Sequence, residues 1–473
     1  MSFQSSAMIK GIFPPEAEAW KTIINMVVYF ERCPSIAECV DKTPGILHYD
    51  RFRSAYRVNE HGEGVFVDIM DTLDPSKDLV ETVSVSSDED LDAKVDELCS
   101  KDMDIYNDKP LWKIYRMENA KQSGRSAIVV RIHHCLGDGI SLVALLGRLF
   151  HDKQGDPVKL KVFGASNKTN EGRSVGNRNN NSSHSGGVAA QGFISLLLKT
   201  LTSIFKVLAL PMSAYDSSSL PFVAANRTAL SMRGVKRSTV YMPTLKLEFV
   251  KDLKNKAGVT VNDVLMALIT GALRRYCVSY GGHNFNAEKQ HQCRFLMPVA
   301  FPRPAKEAES PSTAMRNMFA MVSVPVPLGV ADGQDRLERC AATTNELKSS
   351  PVAYIQMFMQ DKVLAYAPRF LQTKTAMDIF SRHSMVFSNV PGPEESIYFC
   401  GNKVTGLQVI FPNILPQSLV MSYAGGVYFN MCVDPDVVTN RADLPVFFLD
   451  ECEELAKKLG VETIDRSNMV LQS

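Results

Sequence analysis

This 473-residue chain lacks an excess of either charge, with 52 Lys plus Arg set against 51 Asp plus Glu. A nucleic-acid protein neutralises phosphates with a basic patch, and the balance removes the electrostatic case for one. It has ten cysteines, scattered from Cys33 to Cys452 without framework spacing. In a chain this long they read as reduced thiols of a cytosol-facing protein. There is no GxxxxGK(S/T) phosphate cradle, no CxxC, no HExxH and no internal repeat. The opening stretch MSFQSSAMIKGIFPPEAEAW has no apolar core of the kind a secretory signal peptide needs. Tryptophan occurs only twice, which makes Trp112 conspicuous. Hydrophobic residues make up 45% and charged residues 22%, a globular composition with room for two or three domains.

What is present centres on Ala127 to Phe150, AIVVRIHHCLGDGISLVALLGRLF. Its first part, Ala127 to Ile132, is apolar and β-branched except for Arg131, which suits a buried strand. Its last part places Leu142, Leu145, Leu146 and Leu149 at helical spacing. Between them lie His133, His134, Asp138 and Gly139 in one tight connection. Such loops, held by rigid elements, are where chemistry tends to sit. Histidine exchanges protons near neutral pH, a carboxylate can orient or compensate it, and glycine permits a sharp turn. The plain alternative is a strand-to-helix turn with a satisfied histidine pair and an Asp cap. A metal site is not expected: adjacent strand residues point to opposite faces, and no third-ligand cluster accompanies the pair.

Along the chain, Ile24 to Phe30 reads as a strand, with shorter candidates at Arg51 to Val58 and Gly64 to Ile69. Ser87 to Lys101 reads as an amphipathic helix, and Pro110-Leu111-Trp112 opens another strand. Residues 165–190, rich in Asn, Ser and Gly, read as a flexible linker; His184 within it is not a site candidate. Phe193 to Leu210 is the most apolar window. Ser195, Lys199, Thr202, Ser203 and Lys206 form a polar stripe along it, which favours a helix lying on a membrane surface or packed on the core over a transmembrane span. The division is thus 1–164, the linker, and 191–473. In the last part Thr239 to Phe249, Arg294 to Val299, Met321 to Val326 and Met385 to Asn389 read as strands. Thr260 and Asp263 form a capping box that opens a helix, with Asn262 in its first turn. Ala331 to Leu347 and Leu444 to Leu459 read as helices, and Ser418 to Phe429 as a hairpin turning on Gly425-Gly426.

HHxxxDG after an apolar strand is the signature of the CoA-dependent acyltransferase superfamily. Several separated pieces narrow the match. They are Pro110-Leu111-Trp112, His133 to Gly139, Thr260 to Val264 with Gly271 to Tyr276, Met297-Pro298-Val299, Ser388 to Pro393, and Ser422 to Gly425 with Asp434 beyond. From about Ile24 to Gly460 the chain resembles the wax ester synthase/diacylglycerol acyltransferase family. The resemblance implies an α/β fold of two lobes like chloramphenicol acetyltransferase, mixed sheets with flanking helices, and an active-site tunnel between them. It implies acyl transfer from acyl-CoA to a long-chain alcohol or to diacylglycerol, acyl-CoA being a substrate and no cofactor being required. The second histidine of the motif carries the chemistry in that superfamily. His134 is therefore expected as general base, with His133 pointing into the lobe, Asp138 and Gly139 shaping the loop, and Asn262 completing the centre from the second lobe. Asp263, Pro110, Leu111 and Trp112 are expected to support the site.

Eukaryotic members also imply a peripheral location at the endoplasmic reticulum membrane or on lipid droplets. One departure stands at the approach to Ile24, which is short and lacks a Met-His pair frequent in the family, with Asn25-Met26 standing near that place; this leaves acceptor selectivity open. Plant alcohol acyltransferases carry a DFGWG motif that is missing here. The Gly-Arg and Pro-Glu-Gly blocks of glycerol-phosphate acyltransferases are missing too, and Ser388 to Pro393 argues against a peptide-synthetase condensation domain. An inactive lipid-binding protein of the same fold, or a related acyltransferase with another acceptor, remains as an alternative.

Overall fold

The computed structural model describes residues 22–61, 64–120, 124–158, 185–224, 236–287, 289, 291–301, 304–462 and 466–471. The opening stretch and the linker up to residue 184 lie outside them. In chain order the first half contains β1 (Ile23–Phe30), α1 (Ile36–Leu47), β2 (Ser54–Val58), β3 (Gly64–Asp68), β4 (Val80–Val85), α2 (Asp88–Ser100), β5 (Trp112–Asn119), β6 (Ser126–His133) and α3 (Gly139–Leu149). The second half begins with α4 (Ser185–Ala209), β7 (Ser238–Tyr241), β8 (Leu245–Lys246), α5 (Leu247–Ala257), α6 (Val261–Tyr280), β9 (Arg294–Ala300) and β10 (Phe319–Pro325). It continues with α7 (Gly333–Lys348), α8 (Val352–Phe358), α9 (Arg369–Ser381), β11 (Met385–Val390), β12 (Tyr398–Phe399), β13 (Asn402–Ile410), β14 (Gln417–Tyr423), β15 (Gly426–Val433) and α10 (Leu444–Leu459).

Two large sheets result, each with helices against it. The first has the order β12-β13-β1-β6-β5-β4, and the second β10-β9-β11-β14-β15-β7 with β8 also paired to β15. Strands β1 and β6 are buried at every position, as their near-continuous apolar sequences require when both sheet faces are covered. Met26, Val28, Phe30, Ile128, Val130 and Ile132 fill one core, while Val27, Tyr29, Ala127 and Val129 fill the other.

A division at 164 and 191 does not anticipate one feature. Strand β13, from the second half, lies antiparallel to β1 in the first sheet, with Asn25 opposite Ile410. Without it the apolar β1 would be an open sheet edge, so the exchange both links the lobes and covers that edge.

Local outcomes differ from the sequence reading in several places. The segment Thr239 to Phe249 is not one strand: it breaks into β7 and β8, and helix α5 starts at Leu247. Phe249, Val250 and Leu253 are buried together, a helical spacing that the β-branched residues upstream had masked. Helix α1 was unread because of Pro44 in its interior, although Ser35 and Glu38 close a capping box at its start. Helix α4 begins at Ser185, inside the segment read as linker. The β14–β15 hairpin turns on Ala424 and Gly425, both with positive φ (45° and 81°), one residue before the pair expected from sequence.

Candidate active site

Strand β6 delivers the histidine pair to the boundary between the lobes. Its end is held from both sides: His133 N–H donates to the Leu111 carbonyl at 2.9 Å, and His134 N–H to the Thr22 carbonyl at 2.7 Å. Trp112 pairs with Ile132 and donates its indole N–H to the Phe52 carbonyl at 2.7 Å. Pro110, Leu111 and Trp112 are thus buried and set the strand's terminal register.

Alternation along β6 separates the two rings. His133 is 4% exposed and turned into the lobe. Its Nδ1 accepts from Cys135 N–H at 3.3 Å, which leaves Nε2 protonated and donating to Thr22 Oγ1 at 3.1 Å. Burial, helped by the neighbouring His134, lowers its pKa to about 3 and keeps the ring neutral.

His134 turns the other way, into the cavity between the lobes, and packs against Phe319 and Phe411. Its partner is Asn317, which sequence reading missed. Asn317 Nδ2 donates to the His134 carbonyl at 2.8 Å. That fixes the amide so that Oδ1 faces His134 Nδ1, 3.0 Å away. Nδ1 must carry the hydrogen, so Nε2 holds the free lone pair. Burial lowers the His134 pKa from 6.5, while its own backbone, Asp138 and Asn317 act in the opposite direction.

Asp138 is 2% exposed, and the ring's Nδ1 meets Asn317, not the carboxylate partner a triad would place there. Its Oδ1 accepts from Ser141 N–H at 3.0 Å and Ser141 O–H at 2.9 Å, and its Oδ2 from Met318 N–H at 2.7 Å. The carboxylate therefore latches the motif's loop to the residue next to Asn317. Gly139 does not make the sharp turn expected of it. It opens α3 without positive φ, and a Cβ there would meet Val390 at an ordinary 3.8 Å. The close approach is at Gly137, where a Cβ would lie 2.9 Å from that of Ser141.

The second lobe contributes the start of α6. Asp263 is 1% exposed; its Oδ2 accepts from Thr260 N–H at 2.9 Å and Thr260 O–H at 2.7 Å, and its Oδ1 accepts from Thr344. It caps the helix and ties it to α7. Asn262 lies on the cavity wall, exposed, with its Oδ1 accepting from Asn389 of β11. Among the described residues its own NH₂ group meets no acceptor and is left to donate. Gly392 in the following loop is required, since a Cβ would lie 2.2 Å from the Ser422 carbonyl oxygen.

The cavity has a volume of about 1080 Å³. Ile24, Met26 and Ile132 line it from the first sheet, and Met321, Leu419 and Met421 from the second. Leu208 of α4 and Val363 and Leu371 from the segment 359–371 also line it and are exposed. The arrangement joins one basic imidazole nitrogen to a long apolar space, which suits proton removal from a hydroxyl on a lipid.

Comparison with known proteins agrees. Residues 83–265 match the wax ester synthase/diacylglycerol acyltransferase catalytic domain, and residues 315–456 match the WS/DGAT C-terminal domain. Wax ester synthase/diacylglycerol acyltransferase 2 of Arabidopsis thaliana is 26% identical over 70% of this chain and 69% of its own. A putative diacylglycerol O-acyltransferase of Mycobacterium tuberculosis is 23% identical over 74% of this chain and 68% of its own. The solved wax ester synthase/diacylglycerol acyltransferase from Marinobacter aquaeolei VT8 shares the fold, with a TM-score of 0.59, 16% identity, and coverage of 93% and 96% of the two chains. The two-lobe architecture is wider than the family: the first condensation domain of the calcium-dependent antibiotic synthetase superposes with a TM-score of 0.56 at 10% identity, over 96% of this chain and 94% of that one. By its catalytic and C-terminal domains, the chain is an acyl-CoA-dependent O-acyltransferase belonging to the wax ester synthase/diacylglycerol acyltransferase family.

Proposed function

We propose that His134 is the general base and that a long-chain fatty alcohol is the preferred acceptor, giving wax ester ahead of triacylglycerol. The Asn317–His134 pair carries the reading, because it leaves His134 Nε2 unprotonated. A thioester is already activated, so no covalent enzyme intermediate is required. An alcohol has a pKa far above 7 and needs its proton removed as it attacks. Nε2 takes that proton while the alcohol oxygen bonds to the thioester carbonyl carbon. Collapse of the tetrahedral adduct breaks the C–S bond, and the imidazolium returns the proton to the CoA sulfur. Asn262, with its NH₂ group free, donates to the oxyanion as charge develops. The aliphatic wall suits an unbranched alcohol, which presents no polar group beyond its hydroxyl.

The acceptor reaches the cavity from a lipid surface in this reading. Leu197, Leu201 and Phe205 of α4 are exposed, the last by 70%, while Ser203 of the expected polar stripe is buried. Tyr366 and Phe370, from the segment that lines the cavity at Val363 and Leu371, are exposed by 82% and 73%. Apolar exposure on this scale supports a peripheral site on the endoplasmic reticulum membrane or on lipid droplets. Among the described residues no single helix is long and apolar enough to cross a membrane.

The test is purified protein with palmitoyl-CoA, offered hexadecanol and dioleoylglycerol side by side. Free CoA should appear in proportion to ester, with more wax ester than triacylglycerol. CoA released together with free fatty acid would mark a thioesterase instead. Changing Leu197, Leu201 and Phe205 to Ser should weaken sedimentation with liposomes while short soluble alcohols still react; unchanged sedimentation removes the lipid-surface reading.

A further inference from the structure

Of the described residues that line the cavity, Asp138 and Lys348 carry formal charge. They are opposites. Asp138 is buried, with both oxygens bonded within the protein. Lys348 is the last residue of α7, exposed, and pairs with no carboxylate among the described residues. Glu346, two residues earlier, is taken by Lys206 of α4 at 2.8 Å. Four residues before Lys348, Thr344 donates to the Asp263 carboxylate, which caps α6. This buried clamp fixes the end of α7 beside the start of α6, where Thr260, Val261 and Asn262 also line the cavity. Thr260, Asn262 and Lys348 are exposed, so this part of the rim is polar, in contrast to Leu208, Val363 and Leu371.

A cation in the last turn of a helix complements the helix dipole, and that accounts for a lysine on α7. It does not account for a lysine at the wall of an apolar cavity with no carboxylate paired to it among the described residues. The donor substrate supplies one. The acyl chain of acyl-CoA suits the apolar space, and the polar rim at Thr260 and Asn262 suits the amides of its pantetheine arm. The diphosphate and 3′-phosphate are not, because ionised groups stay in water or meet cations.

We propose that Lys348 binds a phosphate of CoA and marks the mouth through which the donor's pantetheine arm enters. The assignment rests on the acyl-CoA reading of the site and adds the place and the charge that recognise the nucleotide end. Lysine serves as a point charge here, and because the site is exposed the contact contributes modestly and is weakened by salt.

The experiment compares decanoyl-CoA with S-decanoyl-pantetheine, which has the same thioester and arm but no phosphate. In Lys348→Gln the KM for decanoyl-CoA should rise about 5-fold with kcat unchanged, as loss of uniform binding requires. Lys348→Glu should raise it further, and salt should raise the wild-type KM more than that of either variant. The KM for decanoyl-pantetheine should stay the same in all three proteins. An unchanged KM for decanoyl-CoA in Lys348→Glu overturns the assignment, and so does equal impairment with both donors, which would signal a structural effect. Wild-type protein that transfers from neither donor would defeat the acyl-CoA reading itself, a separate outcome.

Discussion

Asn317 and His134 hold each other twice, through Asn317 Nδ2 to the His134 carbonyl at 2.8 Å and through His134 Nδ1 to Asn317 Oδ1 at 3.0 Å. The first bond assigns the amide, and the amide assigns the tautomer. The proposed base thus owes its free lone pair to a residue 183 positions away.

Asn317→Ala should lower kcat about 100-fold while acyl-CoA binding holds, because the ring loses its orientation and not its chemistry. Asn317→Asp gives a sharper test. Burial holds the His134 pKa below 6.5 in the native protein, so the base form is present above that pKa and the acid limb of kcat/KM lies below pH 6.5. A carboxylate at 317 stabilises the imidazolium, raises the pKa and should move that limb to higher pH. A limb that stays in place in Asn317→Asp would separate Asn317 from the base.

Asp138 acts one step further out. Asp138→Asn keeps one oxygen for Ser141 but turns an NH₂ group toward Met318 N–H, donor against donor. An unsatisfied buried donor costs about 1–3 kcal/mol, and relaxation of the loop carries Asn317 with it. We expect both a lower melting temperature and a fall in kcat of about 100-fold. Full activity in this variant would show that the latch is dispensable.

These two residues mark where sequence stopped being informative. The histidine loop was legible because a β-branched run, a short polar break and a leucine stripe sit next to one another in the chain. The Thr260–Asp263 cap was legible for the same reason, since its bonds span three residues. Asn317 carried no local signal: it precedes β10 by two residues and meets His134 only when the second sheet closes on the first. Strand β13 carries the polar and apolar alternation of a half-buried strand, but Gly406 interrupts it at the centre, and its apolar partners lie on β1. Helix α9 has Phe370, Leu371, Met377, Ile379 and Phe380 spread around it, so no stripe announced a helix.

The two histidines should separate by assay. His134→Ala should be folded and lose about 100–10,000-fold in turnover, the usual cost of a missing general base. His133→Gln should keep measurable activity and lose stability, with a characteristic pH dependence. The native ring stays neutral down to about pH 3, whereas in the unfolded chain it takes up a proton near 6.5. Native stability from this site is therefore fully present above pH 6.5 and declines as pH falls toward 3. The stability gap between native protein and His133→Gln should narrow by about 1.4 kcal/mol per pH unit below 6.5. Urea unfolding at pH 7.5 and 5.5 measures it, and a gap that does not change with pH would mean His133 is not the buried neutral group described here.

Asn262 and Asp263 are neighbours with different work, and one pair of variants tells them apart. Asp263 bonds to Thr260 in its own helix and to Thr344 in α7, all at a buried position. Asp263→Ala should therefore lower the melting temperature and the activity together, since a lost cap costs about 0.5–2 kcal/mol and the α7 tie goes with it. Asn262 is exposed, and among the described residues its side chain bonds to Asn389. Asn262→Ala should leave the melting temperature within about 1 °C, because surface changes of this kind usually stay within about 0.5 kcal/mol. If its NH₂ group meets the oxyanion, kcat should fall about 100–1,000-fold with little change in the KM for acyl-CoA. A raised KM with kcat intact would instead make Asn262 a rim contact of the donor, alongside Lys348. Full activity would remove it from the mechanism.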